Sequence, residues 1–84
     1  MRYIRRRIEV DALEITPTNH IELIQFAGKR AHDIYQIFGG GYGAMVTTID
    51  GQKRVVNGDF VVKYSDNSLA VYSAERFHQE FEEE

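Results

Sequence analysis

Turn-forming residues divide the second half of this chain into short segments, and this division limits the possible folds more than any other feature. Turn signals stand at positions 39–43, at Asp50-Gly51, at Asn57-Gly58 and at positions 65–68. The segments between them, such as 60–64, are rich in β-branched and aromatic residues. Short β-rich segments separated by turns predict an antiparallel meander, and Asp50-Gly51 is a strong signal for a two-residue hairpin turn.

The N-terminal part of the chain predicts a strand from Ile4 to Ile15. Apolar and charged residues alternate there, with Val10 and Ala12 on one face, which is typical of a half-buried strand. Leu13 and Ile15 then fall on the face that was polar. This shift in the alternation predicts a bulge or a sheet edge near Ala12.

A short helix is predicted next. Asn19 with Glu22 three residues later has the spacing of a capping box, and Gly28 is a typical C-terminal stop. The apolar residues between them follow helical spacing. Positions 31–38 predict a further strand, and the segment from Ala74 predicts a helical turn followed by a short strand.

These elements predict a single α+β domain over residues 1–84, with one short helix packed on a twisted antiparallel sheet of five to six strands. A chain of 84 residues has a thin core, and it contains no cysteine to staple it. With one helix, one face of the sheet would stay open. We therefore expect that face or a sheet edge to pack against another copy, which makes the protein a homo-oligomer. Four aromatic residues are expected in the core or the interface: Tyr64, Tyr72, Phe77 and Phe81.

Several stretches of the chain resemble a widespread group of small phage and prophage proteins. The group's N-terminal tyrosine, basic cluster and strand are matched by Tyr3 and by residues 5–13, and its short helix by residues 19–28. Its most specific motif is a strand opening of glycine, aspartate, an aromatic residue, two aliphatic residues and lysine. That motif is matched by Gly58-Asp59-Phe60-Val61-Val62-Lys63, and the group's closing aromatic pair is similar to Phe77 and Phe81.

The resemblance covers almost the whole chain except residues 31–44. It implies a phage origin, a compact α+β fold and no enzymatic activity. Three positions depart from the group: Arg7 stands where a proline is usual, Ile15 where a tryptophan is usual, and residues 73–75 replace a Cys-Lys-Pro-like step.

The residues that could support catalysis do not form a set. His32 with Asp33, and His20 near Glu22, can be drawn as acid–base pairs, but no serine, cysteine or second carboxylate is spaced to complete a nucleophilic or hydrolytic arrangement. Asp59 is expected to fix a turn through hydrogen bonds from its side chain to the backbone. The three histidines are too scattered to predict a zinc site. We therefore predict no catalytic residue, metal or cofactor.

Binding chemistry is predicted at two places. The run Gly39-Gly40-Gly41-Tyr42-Gly43 permits positive φ angles and exposed amides, so it is either a flexible hairpin loop or a mobile loop that closes over an anionic ligand. Arg5 and Arg7 would share one strand face and suit phosphate, with tyrosines that stack on a base. Salt bridges from these arginines to the acidic C-terminus at a subunit boundary are the alternative.

The favoured function is that of a non-enzymatic phage accessory protein that counters host defence as a homo-oligomeric sponge for an anionic, nucleotide-type ligand, such as a cyclic nucleotide signal. The residues predicted to bind it are Tyr3, Arg5, Arg7, Tyr35, Gly40, Gly41 and Tyr42. The alternative is an inhibitor that binds a host defence effector or nucleic-acid enzyme through the acidic residues 82–84. A net charge of −3 disfavours general nucleic-acid binding, and the absence of a long apolar run favours a cytoplasmic location.

Overall fold

The structure, a computed structural model, describes the backbone of residues 2–5 and 8–83 and the side chains of residues 10–81. These residues form an α+β fold, as the sequence predicts. The elements in chain order are β1 (Arg2–Arg5), β2 (Ile8–Glu14), α1 (His20–Ala27), a 3-10 helix (Gly28–Arg30), β3 (Ala31–Gln36), β4 (Tyr42–Thr48), β5 (Gly51–Val55), β6 (Phe60–Lys63), β7 (Leu69–Tyr72), α2 (Ala74–Glu80) and β8 (Glu82–Glu83). Neither helix of the described part is long and apolar enough to cross a membrane.

The strands form two antiparallel sheets, so the prediction of a single meander sheet is wrong. The larger sheet has the order β7-β6-β2-β1-β8 and the smaller one the order β3-β4-β5. The chain changes sheets at the Asn57-Gly58 turn. The Gly58 amide donates to the Ile15 carbonyl, and the Ile15 amide donates to the Asp59 carbonyl, each at 2.8 Å. These bonds tie the turn to the end of β2, and β6 therefore pairs with β2 instead of β5.

The N-terminal strand prediction is corrected in two ways. Arg5 pairs with Ile8, so β1 and β2 are neighbouring antiparallel strands rather than one long strand. No bulge interrupts β2 near Ala12, since its register with β6 is continuous over residues 11–14. The shift in the apolar pattern arises because β2 is a central strand with apolar contacts on both faces, and such strands do not alternate cleanly.

A second helix covers the other face of the larger sheet, so the prediction that one face stays open is wrong, while pairing through a sheet edge stays a prediction. Helix α2 begins after Ser73, whose hydroxyl accepts the Arg76 amide at 3.3 Å. Its Phe77 ring stacks on the Phe60 ring of the sheet at a centroid distance of 4.0 Å. The Phe81 ring packs edge-on against the Tyr72 ring at 5.2 Å. Tyr72, Phe77 and Phe81 are thus core residues, as predicted.

The opposite face of the larger sheet forms a second core with α1 and the smaller sheet. Leu23 of α1, Val46 of β4 and Val61 of β6 are fully buried in it. In the smaller sheet, β4 is the central strand and β3 is an edge that lies beside α1. A bulge with Asp33 at a φ of 52° interrupts β3. This arrangement brings the start of α1 and the β3–β4 loop to one end of the domain.

Candidate functional site

A cleft with a volume of about 380 Å³ lies at that end of the domain. Its walls are the segment that precedes α1, the end of β3 and the start of β4. The residues that line it are Pro17, Thr18, His20, Ile34, Tyr35, Gln36, Gly41 and Tyr42. The volume falls at the lower end of the range for small-molecule sites, roughly 300–1,000 Å³.

Tyr42, called here the floor of the cleft because it is the most deeply buried of the lining residues, is hydrogen-bonded to Asn19. The Tyr42 side chain is only 4% exposed, and its hydroxyl donates to Asn19 Oδ1 at 2.8 Å. The same oxygen accepts the Thr16 amide at 3.0 Å, and Asn19 Nδ2 donates to the Glu14 carbonyl at 2.7 Å. Helix α1 begins after Asn19, but that side chain makes no capping bond to it. The predicted capping box is therefore wrong, because the Asn19 amide joins β2 to β4 instead.

Burial keeps the Tyr42 hydroxyl protonated over a wide pH range. Removal from solvent, with a smaller contribution from the negative charge of Glu22, raises the pKa of Tyr42 to about 12. The His20 ring stands edge-on to the Tyr42 ring at a centroid distance of 5.7 Å. The floor is thus a neutral aromatic surface held in place by hydrogen bonds, rather than a free ring on a mobile loop.

The Tyr35 ring lies on Gly43, its cross-strand partner in β4. A β-carbon at Gly43 would stand 2.3 Å from the nearest Tyr35 ring carbon, so only glycine allows the ring to occupy this place. One side of the ring rests on the strand, while 41% of the residue stays exposed. Tyr35 therefore presents an aromatic surface whose position is set before any ligand arrives.

The β3–β4 loop takes its shape from three glycines and two backbone hydrogen bonds. Gly39, Gly40 and Gly41 have φ angles of 95°, 124° and 85°, in the region that other residues rarely adopt. The Ile37 amide donates to the Gly41 carbonyl and the Gly40 amide to the Ile37 carbonyl, each at 3.1 Å. Phe38 stands fully exposed within this loop.

The structure brings together four of the seven predicted ligand residues. Tyr35, Gly41 and Tyr42 line the cleft, and Gly40 is the loop residue next to Gly41. The sequence analysis missed the other wall residues and the exposed Phe38. The available signals were weak: Ile34 and Gln36 flank Tyr35 in the sequence, and the residues at 17–18 read only as a strand stop.

The remaining three predicted residues lie elsewhere. Tyr3 and Arg5 belong to β1, and Arg7, with the strand face it was predicted to share with Arg5, lies outside the described residues. Arg5 pairs with Ile8, at the end of β2 remote from the cleft. With a strand rise of about 3.3 Å per residue, the backbone of Arg5 is roughly 20 Å from the end of β2 that leads to the cleft. Within a single chain, Arg5 is therefore far from Tyr35 and Tyr42.

The two ends of the chain meet in the larger sheet. The C-terminal strand β8 pairs with β1, with Glu83 opposite Tyr3 and Glu82 opposite Ile4. The basic and acidic ends are therefore neighbours within one chain, whereas the alternative interpretation of the arginines placed their meeting at a subunit boundary.

The lining of the cleft consists of aromatic, apolar, amide and hydroxyl-bearing residues and one glycine. Its eight lining residues include no lysine, arginine, aspartate or glutamate. The His32–Asp33 pair, with 3.2 Å between Nδ1 and Oδ2, is not among them. Asp59 fixes its turn as predicted, because its Oδ2 accepts the Val56 amide at 3.0 Å.

Comparison with known proteins gives no match to any family profile, curated protein or solved structure. The resemblance to phage proteins therefore stays a prediction, and the cleft is interpreted from its own geometry.

Proposed function

We propose that the protein is a non-enzymatic binding protein that sequesters a small nucleotide-type ligand, with a base held in the cleft. The observation that carries this proposal is the composition of the cleft walls. Two aromatic residues, Tyr35 and His20, line the cleft together with the apolar Ile34 and with Gln36, which carries an amide. Sites of this kind hold a planar ring by stacking and orient it with a few hydrogen bonds.

The fixed position of Tyr35 supports this proposal energetically. Stacking of a base on an aromatic side chain contributes about 1–3 kcal/mol. Ordering a mobile side chain on binding would offset about 0.5–1.5 kcal/mol of that gain. Since the Tyr35 ring already rests on Gly43, little of this cost remains.

The phosphate groups of such a ligand would be bound by backbone amides of the same chain or by an arginine of a second copy. The Gly39 and Gly41 amides can be offered to an anion, since successive amides in turns form anion-binding concavities, whereas the Gly40 amide already donates to the Ile37 carbonyl. Arg5 can approach the cleft only from another subunit, because it lies at the far end of the same chain. The proposed assembly is therefore a homo-oligomer. In a phage setting, sequestration of a nucleotide signal would blunt a host defence.

Isothermal titration against a panel of cyclic di- and trinucleotides tests this function. We expect at least one ligand to bind with a dissociation constant below the order of tens of micromolar, and to be recovered unchanged by chromatography. Tyr35→Ala should weaken binding about tenfold or more, while Tyr35→Phe should retain it because the ring remains.

Absence of binding across the panel at that concentration contradicts sequestration. A host protein that co-purifies in stoichiometric amount and is lost when Glu82 and Glu83 are changed to glutamine would instead support the inhibitor alternative.

A further inference from the structure

A second cavity, shallow and open to solvent, adjoins the cleft, and its whole lining comes from five consecutive residues around the β3–β4 loop. It has a volume of about 400 Å³ and is lined by Gln36, Ile37, Phe38, Gly39 and Gly40. Gln36 belongs to both cavities, so they meet at the end of β3. From this pair of cavities we infer that the site is bipartite and takes a phosphodiester-linked dinucleotide, with one base in the cleft and the second on Phe38. This inference rests on the proposed function and names its ligand class.

Phe38 is suited to contact a second base. It is the most exposed of the large apolar residues that the structure describes. The loop that carries it is closed by hydrogen bonds between Ile37 and Gly41 and between Gly40 and Ile37. These bonds fix the backbone of the loop at Phe38, whose ring is fully exposed and lines the second cavity instead of packing in the core. Every base has a π-face, so an aromatic side chain in this position binds bases with little dependence on their identity.

The side chains that line the two cavities bear on whether the site binds a phosphodiester or a polyphosphate. None of the residues that line them is a lysine, arginine, aspartate or glutamate. Sites for nucleoside triphosphates use lysine, arginine and bound metal ions to balance several negative charges. Backbone amides of consecutive glycines suit one diffuse charge. A phosphodiester, with a single charge per linkage, matches the lining that one chain supplies better than a polyphosphate does.

Pairing of β3 with the edge of a second copy does not account for the exposed residues. The bulge between His32 and Tyr35, with Asp33 at a φ of 52°, interrupts the edge strand. Bulges of this kind protect exposed edges from pairing with another strand. The aromatic residues beyond the bulge are therefore assigned to the ligand.

Titration calorimetry with cyclic di-AMP, cyclic di-GMP, AMP, GMP and ATP tests the inference, on the unmodified protein and two variants. We expect a cyclic dinucleotide to bind at least tenfold more tightly than its mononucleotide, and ATP no more tightly than AMP. Phe38→Ala should weaken dinucleotide binding about tenfold and leave mononucleotide binding unchanged. Ile49→Ala, which removes another exposed apolar side chain at 64% exposure in the β4–β5 turn, should change neither.

Each other outcome overturns a stated claim. If mononucleotides bind as tightly as dinucleotides, or if Phe38→Ala weakens both equally, the bipartite site is wrong while the proposed function stands. If Phe38→Ala leaves affinities unchanged and lowers the subunit number by light scattering, Phe38 is a subunit contact instead. If none of these nucleotides binds, the inference fails, and the proposed function fails with it when the cyclic trinucleotides do not bind either.

Discussion

At the scale of single residues, Tyr42 and Asn19 show how one polar contact determines local structure. The sequence predicts a capping box at Asn19 and places Tyr42 on a loop that is either a flexible hairpin or mobile over a ligand. In the structure, the Tyr42 hydroxyl donates to Asn19, and the Asn19 amide bonds in turn to the backbone of Thr16 and Glu14. The contact between Tyr42 and Asn19 links residues 23 positions apart in the chain, and local spacing does not reveal it. These contacts make the floor of the cleft rigid.

Because Tyr42 is buried, the free energy of unfolding decreases as the pH rises into the alkaline range. In the unfolded chain Tyr42 loses its proton near the ordinary value of 10.0, whereas in the folded chain its pKa is about 12. The contribution of protonated Tyr42 to the free energy of unfolding is therefore fully present below pH 10. Between pH 10 and 12 this free energy decreases by about 2–3 kcal/mol. Tyr42→Phe lacks this titration and loses one hydrogen bond, so it should be about 1 kcal/mol less stable at neutral pH.

Chemical denaturation at a series of pH values checks this prediction. The unmodified protein should lose its advantage over Tyr42→Phe as the pH rises through 11, and the order of stability should then reverse. Parallel profiles for the two proteins from pH 8 to 12 would show that the phenol is not protected as described.

At the scale of elements, the β3–β4 hairpin depends on a glycine that carries a tyrosine ring. Gly43→Ala places a methyl group about where the Tyr35 ring lies, 2.3 Å from its nearest carbon. We expect this change to displace the ring and to destabilise the fold by about 1–3 kcal/mol. In a Tyr35→Ala background the same change should cost much less.

Thermal or denaturant unfolding of the two single variants and the double variant measures this coupling. Additive effects would mean that Tyr35 does not rest on Gly43. The coupling also bears on function, because a displaced ring should weaken nucleotide binding.

Elements with local signals could be predicted from the sequence, and their arrangement could not. Helix α1 ends at Gly28, which has a φ of 63°, and the final segment forms a helix and a short strand as expected. The assignment of β5 and β6 to different sheets depends on two hydrogen bonds with Ile15, more than 40 residues earlier: the Gly58 amide donates to its carbonyl, and its amide donates to the Asp59 carbonyl. An Asn-Gly turn has the same local signal in a hairpin and in a crossover between sheets.

At the scale of the whole molecule, two cores share the larger sheet and leave the binding surface at one end. Helix α2 covers one face of that sheet, and α1 with the smaller sheet covers the other. The tyrosines and the glycine loop could be proposed from sequence as binding groups. The cleft itself could not, because its walls come from three separate segments that meet only in the folded chain.

The central claim is that a nucleotide-type ligand binds in this cleft, and an NMR titration of ¹⁵N-labelled protein with a cyclic dinucleotide tests it most directly. Some glycine amides lie at the cleft and others in distant turns, so one spectrum contains both test signals and control signals. We predict shifts in the amide signals of Gly39, Gly40, Gly41 and Gly43, and none at Gly51 and Gly58, which lie in other turns. Unchanged spectra, or shifts confined to Gly51 and Gly58, would contradict the claim.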